Sequence, residues 1–395
     1  MRQIAEQNKT FDDSTEPYKY YEGVASAFRY AKFIAIFAAV LFFVVMLSFF
    51  KDEISIENFQ YVLKYISTDE GSIITTNKIH YPTSDSKALS LYKGDFVSSG
   101  GNGIALYDTN GSMVLEIEEA FSAPVFSTGK YGLCYDLSGN KYVIFNTFSE
   151  LYTGTTEYPI ADAVMSDKGD FVILTKSREY KSVIDIYDSD YELMGKVNKN
   201  NYVFCLDIND SYLSYATVSS ADSRFLTNIS ALKFRSDDEI KVATLYDEFP
   251  LDMKFNNDGM FVLTDKSLRF YDSDFNQIAS YMFASQTPAG MRISDGYVMV
   301  YFSKNMIGSE NEVRIYDTGG KLVFSKVLTG KINSLDILDD IAVVHTNNLL
   351  YRINITDDVI ETAEIVTGAD KVMLQSDYTV LLCFDNFANL IDFNK

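Results

Sequence analysis

The sequence predicts an all-β protein built from repeated units and preceded by one apolar helix. First, "SVIDIYDSDYELMGK" at 182–196 and "SLRFYDSDFNQIAS" at 267–280 each contain an alternating strand that ends in Tyr-Asp, a polar turn and a second strand. Second, strand–turn–strand units of this kind recur eight times. The residue that ends the first strand of each unit, which we call its anchor, is separated from the next by 37 to 47 residues. Third, "FIAIFAAVLFFVVMLSFF" at 33–50 contains no charged residue. Repeats of about 40–45 residues with four strands each are typical of propeller blades, so we expect an eight-bladed β-propeller, with seven blades as the alternative.

The apolar run is predicted to be a membrane anchor. A helix of 18 residues rises about 1.5 Å per residue and therefore spans about 27 Å, close to the hydrocarbon thickness of a bilayer. A polar segment of 32 residues precedes the run, which ends in Ser-Phe-Phe-Lys rather than in a cleavage site of small residues. The sequence therefore predicts an uncleaved transmembrane helix at 33–50 with a tail at 1–32. A buried core helix is the alternative.

Basic residues near the apolar run at 33–50 predict the orientation of this helix in the membrane. Lys19, Arg29 and Lys32 precede the run, whereas Lys51 and Lys64 are the only basic residues in the first twenty positions after it. Lys and Arg are retained on the cytoplasmic side of membranes. We therefore expect a single-pass protein of the cell membrane with a cytoplasmic N-terminus and an extracytoplasmic propeller.

The charge of the chain argues against one class of partner. The formal net charge is −21, and residues 1–32 carry five basic and five acidic groups, so the excess acidity lies after them. Phosphate backbones repel such a body, so we expect no nucleic-acid partner. The three cysteines are far apart and lack CxxC spacing, and we expect them to be small buried hydrophobic residues.

Each anchor ends the third strand of a predicted blade. Before Tyr187, "IADAVMSDKG" and "DFVILTKS" supply two further strands, and "LDMKFNNDG" and "MFVLTDKS" do so before Tyr271. The anchor ring is expected to cover the neighbouring blade, and the following Asp is expected to accept hydrogen bonds from turn amides. The Tyr-Asp motif is therefore interpreted as structural rather than catalytic. The eight anchors are Tyr107, Phe145, Tyr187, Phe234, Tyr271, Tyr316, Ile353 and Phe393.

The ring is predicted to be closed by the N-terminal end of the domain. The eighth unit stops at Lys395 after its third strand, and an open ring would expose unpaired strand edges. The alternating segment at 72–83 is therefore expected to be the outer strand of the last blade, which assigns 72–395 to the propeller. Residues 51–71 are expected to form a juxtamembrane linker with a short helix in "SIENFQYVLKYIS". The loops between second and third strands would then face away from the membrane.

This organisation resembles the broad superfamily of WD40-like and quinoprotein-like propellers over residues 72–395, and the "IYD…G" strand-turn carries the resemblance. The Trp-Asp dipeptide of true WD40 repeats and the Trp-based docking motifs of quinoproteins are absent, because the chain contains no Trp. The layout of anchor, "ISIENFQYVLKYI" and propeller is also similar to an uncharacterised family of single-pass bacterial proteins catalogued as a domain of unknown function. That resemblance implies no activity.

No motif in the sequence predicts a cofactor, a metal site or a catalytic centre. His80 and His345 are 265 positions apart, and no GxSxG, HExxH, Walker or calcium-loop motif occurs. Insertions between second and third strands, at 176–181, 219–227 and 303–311, are expected on the outward rim, where loops carry function. Their residues mix charge with apolar contact surface, as binding rims do. The candidate binding residues are Arg178, Tyr180, Lys181, Asp222, Arg224, Lys304 and Met306.

The sequence favours a binding module over an enzyme. The leading interpretation is a membrane-anchored extracytoplasmic propeller that binds a protein or an envelope polymer through its outward rim and serves as a scaffold. The alternative is a carbohydrate-active envelope enzyme, which needs two carboxylates from different blades roughly 5–10 Å apart at the central channel. A third interpretation is that "EPYKYYEG" at 16–23 docks a cytoplasmic partner.

Overall fold

The computed structural model divides the chain into two units, Met1–Ile73 and Ile74–Lys395. The residues that the structure describes are 16–49, 78–82, 85–109, 111–221, 223–236, 238–284 and 286–393. The predicted juxtamembrane helix in 51–71 lies outside these residues.

The described part of the first unit is a single helix, α1 (Glu16–Phe49). The helix begins well before the predicted span at 33–50, because the alanine-rich stretch around Ala25 and Ala31 has high helix propensity. Its segment Val24–Phe42 is long and apolar enough to cross a membrane. The same length and composition also fit a signal sequence, since the segment lies near the N-terminus.

The described residues of the second unit form eight four-stranded antiparallel sheets, which confirms the predicted eight-bladed propeller. The first strand, β1 (Lys78–His80), belongs to the eighth blade. Blade 1 contains β2 (Leu89–Tyr92), β3 (Asp95–Gly100), β4 (Gly103–Tyr107) and β5 (Met113–Ile117). Blade 2 contains β6 (Pro124–Thr128), β7 (Gly132–Asp136), β8 (Lys141–Phe145) and β9 (Glu150–Thr155). Blade 3 contains β10 (Ile160–Met165), β11 (Phe171–Thr175), β12 (Ser182–Tyr187) and β13 (Leu193–Lys199).

The remaining blades repeat this order. Blade 4 contains β14 (Tyr202–Ile208), β15 (Tyr212–Ala221), β16 (Arg224–Lys233) and β17 (Glu239–Tyr246). Blade 5 contains β18 (Pro250–Asn256), β19 (Gly259–Thr264), β20 (Ser267–Asp272) and β21 (Gln277–Met282). Blade 6 contains β22 (Gly290–Ile293), β23 (Tyr297–Ser303), β24 (Glu310–Asp317) and β25 (Leu322–Thr329). Blade 7 contains β26 (Ile332–Leu338), β27 (Ile341–Thr346), β28 (Leu349–Asn354) and β29 (Val359–Glu364). Blade 8 contains β30 (Lys371–Leu374), β31 (Thr379–Cys383), β32 (Phe387–Asp392) and the early strand β1.

Strand direction gives the ring two different rims. Because consecutive strands are antiparallel, the loops between second and third strands share one rim with the connections between blades, and we call it rim A. The turns between first and second strands and between third and fourth strands share the opposite rim, rim B. The chain enters β1 from rim B, since β1 is the fourth strand of its blade.

The two ends of the propeller pair with one another. Within the predicted closing segment 72–83, residues 78–80 form β1, which pairs with β32 in the register Ile79 to Ala388. Residues 72–77 and 83 lie outside the described part of the chain. Tyr81 continues the seam, because its hydroxyl donates to the carbonyl oxygen of Phe387 at 3.0 Å and its ring packs against Phe96 of blade 1.

The core lies between adjacent blades rather than inside any one of them. One cluster joins Leu133 and Ile144 of blade 2 to Phe171 and Ile173 of blade 3, all fully buried. A blade alone would expose both faces of its sheet, so each blade depends on its neighbours for its hydrophobic burial. The three cysteines are free and buried, as expected.

The Tyr-Asp motif has the structural role that the sequence predicts. The carboxylates of Asp108, Asp188, Asp272 and Asp317 each accept a hydrogen bond from the backbone N–H four residues later, at 2.7–2.9 Å. This bond closes the turn between the third and fourth strands. The Tyr187 ring stacks on Phe171 of its own blade at 4.6 Å between centroids, and it lies 6.4 Å from the Tyr142 ring of the neighbouring blade 2.

Candidate functional site

Six of the seven candidate binding residues lie in described parts of the chain, in or beside the hairpins between second and third strands. These hairpins share rim A. Asp222 lies outside the described residues. In blade 4, the segment 219–227 proves not to be a loop, because β15 and β16 continue as a paired ribbon as far as Ala221 and Arg224. The extra length of this blade therefore lengthens its strands.

The blade 3 loop, residues 176–181, is held by one serine. Ser177 Oγ accepts a hydrogen bond from the backbone N–H of Tyr180 at 2.9 Å, which closes a local turn. This turn leaves Arg178 exposed at the rim and half-buries Tyr180.

Exposed aromatic rings form a patch where blades 3, 4 and 5 meet at rim A. Tyr202 and Phe204 are each 45 % exposed, and the Phe204 ring packs edge-on against Phe249 at 4.7 Å between centroids. From blade 3, Lys176 and Lys181 place their ammonium groups 5.8 and 5.3 Å from the centre of the Tyr202 ring, within range of a cation–π interaction. We call these five residues the aromatic patch.

The alternation of β14 exposes both rings of this patch. Side chains two positions apart on a strand point to the same face, so Tyr202 and Phe204 both reach solvent, whereas Val203 and Cys205 are buried. The pairing of β14 with β15 shifts between Val203 and Cys205, so Phe204 has no partner in the ladder. After this bulge the alternation ends, and residues 205–208 are all buried.

A second basic–aromatic pair lies on the same rim of blade 4. The Arg224 guanidinium lies 5.0 Å from the centre of the Tyr246 ring, and its Nε donates to Asp247 Oδ2 at 2.7 Å. Tyr246 is 56 % exposed. The guanidinium is therefore held in place while the ring stays accessible.

The blade 6 loop presents a different surface. Lys304 forms an ion pair with Glu312, so its charge is already partnered. Asn305 accepts a hydrogen bond from the backbone within the loop and fixes its shape. Met306 is fully exposed and Ile307 is 84 % exposed, so the tip is apolar. Blade 5 separates this tip from blade 4, and the predicted residues therefore form two groups rather than one.

A large cavity lies elsewhere, at the centre of the ring. It measures about 860 Å³ and is lined by the first strands of blades 1 to 6. It extends to rim B, because the turns that follow the first strands of blades 3, 4 and 5 also line it. Its acidic lining residues are Asp162, Asp167, Asp207, Asp210, Asp252 and Asp295.

Three of these carboxyl groups come from consecutive blades. Asp162 and Asp252 each follow directly after a bulge in their strands. Asp162 Oδ1 accepts a hydrogen bond from the Tyr135 hydroxyl at 2.9 Å, and Asp207 Oδ2 accepts one from the backbone N–H of Phe255 at 2.6 Å. These bonds fix the carboxyl groups in the cavity wall.

Burial perturbs all three groups. Burial, together with the nearby charge of Asp252, raises the pKa of Asp162 to about 6. Burial raises the pKa of Asp207 to about 7, although the Phe255 N–H and the charge of Lys254 act in the opposite direction. The pKa of Asp252 is raised as well, again by burial. Asp207 is 9 % exposed, whereas Asp162 and Asp252 are half-buried.

Of the aromatic patch, the sequence singled out Lys181 but none of the three rings, and it did not single out the cavity acids. One signal was available: Asp162, Asp207 and Asp252 are spaced by 45 residues each, close to the repeat length. Within the described residues, no group of three or more His, Cys, Asp or Glu side chains is arranged to hold a metal ion.

The model of a family of unknown function (DUF5711) matches residues 65–388 of this chain. The chain belongs to this family. The predicted resemblance to a family without assigned activity is thus confirmed. No curated protein matches the sequence.

Solved structures share the fold. The computationally designed Ika8 protein is 13 % identical, with a TM-score of 0.59, over 80 % of this chain and 98 % of its own. BamB from Moraxella catarrhalis is 9 % identical, with a TM-score of 0.49, over 81 % of this chain and 100 % of its own. The WD40 domain of Pan2 from Neurospora crassa is 7 % identical, with a TM-score of 0.49, over 80 % of this chain and 90 % of its own. At this identity the Ika8 likeness shows the propeller fold alone.

Proposed function

We propose that this protein is a membrane-anchored, extracytoplasmic binding module that captures a protein partner through rim A. The observation that carries the proposal is the aromatic patch, in which Tyr202 and Phe204 stay 45 % exposed on a rigid strand. Aromatic residues are enriched in the cores of protein interfaces, and rigid rings lose little conformational entropy on binding.

The distribution of charged residues also supports rim A as the binding surface. The chain carries a formal net charge of −21, yet Lys176, Lys181 and Arg224 lie next to the exposed rings of rim A. A local basic–aromatic surface on an acidic body would orient an approaching partner and suppress binding elsewhere. An acidic or aromatic-containing segment of a partner fits this chemistry best.

The proposal of a membrane anchor depends on the composition of α1 and on the basic residues that flank its apolar segment. Lys19, Arg29 and Lys32 on its N-terminal side favour a cytoplasmic N-terminus. The propeller would then lie outside the cytoplasm, where an envelope polymer is the other partner class that a rim of this kind could bind.

The test is partner capture by the full-length chain in detergent from an extract of cell envelopes. The double variant Tyr202→Ala/Phe204→Ala should lose a partner that the wild type retains, because such residues typically contribute about 2 kcal/mol or more each. The matched control is Met113→Ala/Val114→Ala, an exposed apolar pair on β5 far from rim A.

The outcomes separate the alternatives. Loss in the patch variant with retention in the control supports the proposal, as does weaker capture by Lys181→Ala. Identical capture by wild type and patch variant contradicts binding through this patch. Capture of glycan rather than protein by the same patch assigns the rim to an envelope polymer.

A further inference from the structure

The charge of the central cavity is unbalanced. Six carboxyl groups line it, but only two basic side chains do so, Lys254 and Arg292. Both are already engaged: Lys254 Nζ lies 3.3 Å from Asp295, and Arg292 Nε lies 2.7 Å from Asp336. The charge of Lys254 also acts on Asp207, and the charges of Lys254 and Arg292 act on Asp252, but these effects are smaller than the effect of burial.

Four lining carboxyl groups have no basic nitrogen within 4 Å in the described part of the chain: Asp162, Asp167, Asp207 and Asp252. Burying charges without partners is costly, and such groups normally resist ionisation. Burial raises the pKa values of Asp162, Asp207 and Asp252 and so disfavours their ionised forms. A cation in the cavity would remove the deficit.

An independent observation concerns a neutral side chain. Ser166 lines the same cavity and is 3 % exposed. Its hydroxyl has no hydrogen-bond partner among the described residues. Buried hydroxyl groups are nearly always hydrogen-bonded, and this one lies in the wall of the cavity without a partner and with almost no accessible surface of its own.

Size and lining indicate what kind of cation fits. A volume of about 860 Å³ falls in the range of small-molecule sites, roughly 300–1,000 Å³, and far exceeds the space that a single metal ion needs. Apolar side chains also line the wall, among them Phe126, Val164, Met291 and Ile293. Such a wall contacts methylene groups while the carboxylates pair with charges.

We propose that this cavity binds a small organic polycation, a molecule in which two or more alkylammonium groups are joined by methylene chains. Asp162, Asp207 and Asp252 pair with ammonium groups in the interior. Asp167, exposed in the turn after β10, pairs with one at the mouth on rim B. A neutral sugar at the same place would leave these charges uncompensated.

Binding should be coupled to proton release. Alkylammonium groups stay charged below about pH 9, whereas Asp162 and Asp207 are partly protonated near neutrality. A cation favours their ionised forms, so they release protons on binding and affinity rises with pH. The groups that face them are the Tyr135 hydroxyl, the buried Cys205 thiol and the paired Lys254.

The experiment is calorimetric titration of the full-length chain in a non-ionic detergent with spermidine, at about pH 6 and about pH 8. We expect spermidine to bind roughly tenfold more tightly at the higher pH, with heats that depend on the buffer because protons are released. Butylamine, with one ammonium group, should bind at least tenfold more weakly than spermidine.

The variant Asp162→Asn/Asp252→Asn should weaken spermidine binding at least tenfold. The control Asp188→Asn/Asp190→Asn removes the same charge from the outer turn of blade 3, also on rim B, and should leave affinity unchanged. Equal losses in both variants, equal binding of butylamine, or no binding by the wild type would each overturn the proposal. Hydrolysis of an envelope glycan without amine binding would assign the cavity to an enzyme instead.

Should the double variant fail to fold, Asp167→Asn provides the test, since this carboxylate is exposed at the mouth. We expect a several-fold loss of spermidine affinity and an unchanged melting temperature. Unchanged affinity in this variant would contradict the placement of the ligand.

Discussion

Replacing Asp207 by Asn should stabilise the propeller at neutral and alkaline pH. The carboxyl group is 9 % exposed, and burial raises its pKa from 3.8 to about 7. Between these two values, the folded protein binds more protons than the unfolded chain does, so folding stability falls as pH rises through this window. At about 1.36 kcal/mol per pKa unit, the loss is at most ~4 kcal/mol and is complete above about pH 7.

Asparagine removes the charge and keeps an oxygen that accepts the Phe255 N–H. The free energy of unfolding of D207N should therefore exceed that of the wild type by about 2–4 kcal/mol at pH ~8, with little difference at pH ~4. Denaturant unfolding of the full chain, followed by circular dichroism or tyrosine fluorescence, measures this free energy. Tyrosine fluorescence is the fluorescent signal to follow because the chain contains no Trp. Asp190→Asn, exposed in a turn, is the matched control. An effect of the same size at both pH values, or a loss of stability at pH ~8, would refute the reasoning.

Three further predictions concern the ring itself. Both ring nitrogens of His345 are buried without hydrogen-bond partners in the described structure, and burial lowers the pKa of this side chain. As the pH falls, the unfolded chain therefore binds a proton at this histidine before the folded protein does. The wild type should consequently lose stability below about pH 6.5 relative to His345→Leu. Parallel pH–stability curves for the two proteins would contradict this. A Cβ at Gly259 would lie 1.9 Å from the Tyr271 carbonyl oxygen, whereas one at Gly296 meets nothing within 4 Å; Gly259→Ala should lower the melting temperature by several degrees and Gly296→Ala should leave it within about 1 °C. Equal shifts would disprove the close approach. Ile79→Ala should cost about 2–4 kcal/mol of unfolding free energy, because Ile79 is 4 % exposed in the seam. A cost below about 0.5 kcal/mol would show that the seam carries no packing.

The fold could be predicted from the sequence because each blade repeats the same local sequence pattern. Alternation followed by a polar turn recurs along the chain, and an Asp closes that turn after four of the eight anchors, as after Tyr187 and Tyr271. In a propeller, those local signals also determine the tertiary contacts, because each blade packs on copies of itself. Blade number and strand order therefore followed without knowledge of any long-range pair except the seam.

Loop and strand in blade 4 could not be separated in this way. The residues around Ser219 and Ser220 are polar and exposed, and that composition is typical of loops as well as of a two-stranded ribbon outside the core. Only the pairing of Ala221 with Arg224 distinguishes the two. Composition alone therefore placed an insertion loop where the structure has a longer hairpin.

The placement of the cavity acids depends on β-bulges, which is why the sequence did not reveal them. The bulges in β10 and β18 come directly before Asp162 and Asp252. The exposure of Tyr202 and Phe204, by contrast, follows the alternation of β14. A bulge shifts every later side chain to the other face, and no residue type in these strands specifies its position. The cavity also requires first strands from six blades, which are far apart in sequence.

The closed ring is the claim on which both rims depend, and one cross-link tests it. Lys78 lies opposite Asn389 in the pairing of β1 with β32, whereas Asp392 lies three residues farther along that strand. Paired positions have Cα separations of about 4.5–5.5 Å, within disulfide range, and three residues add roughly 10 Å. Under mild oxidation, K78C/N389C should form an internal disulfide in most molecules, detected by mass spectrometry of the linked peptides, and K78C/D392C should not. Failure of the first pair, or equal linkage of both, would contradict the closed ring.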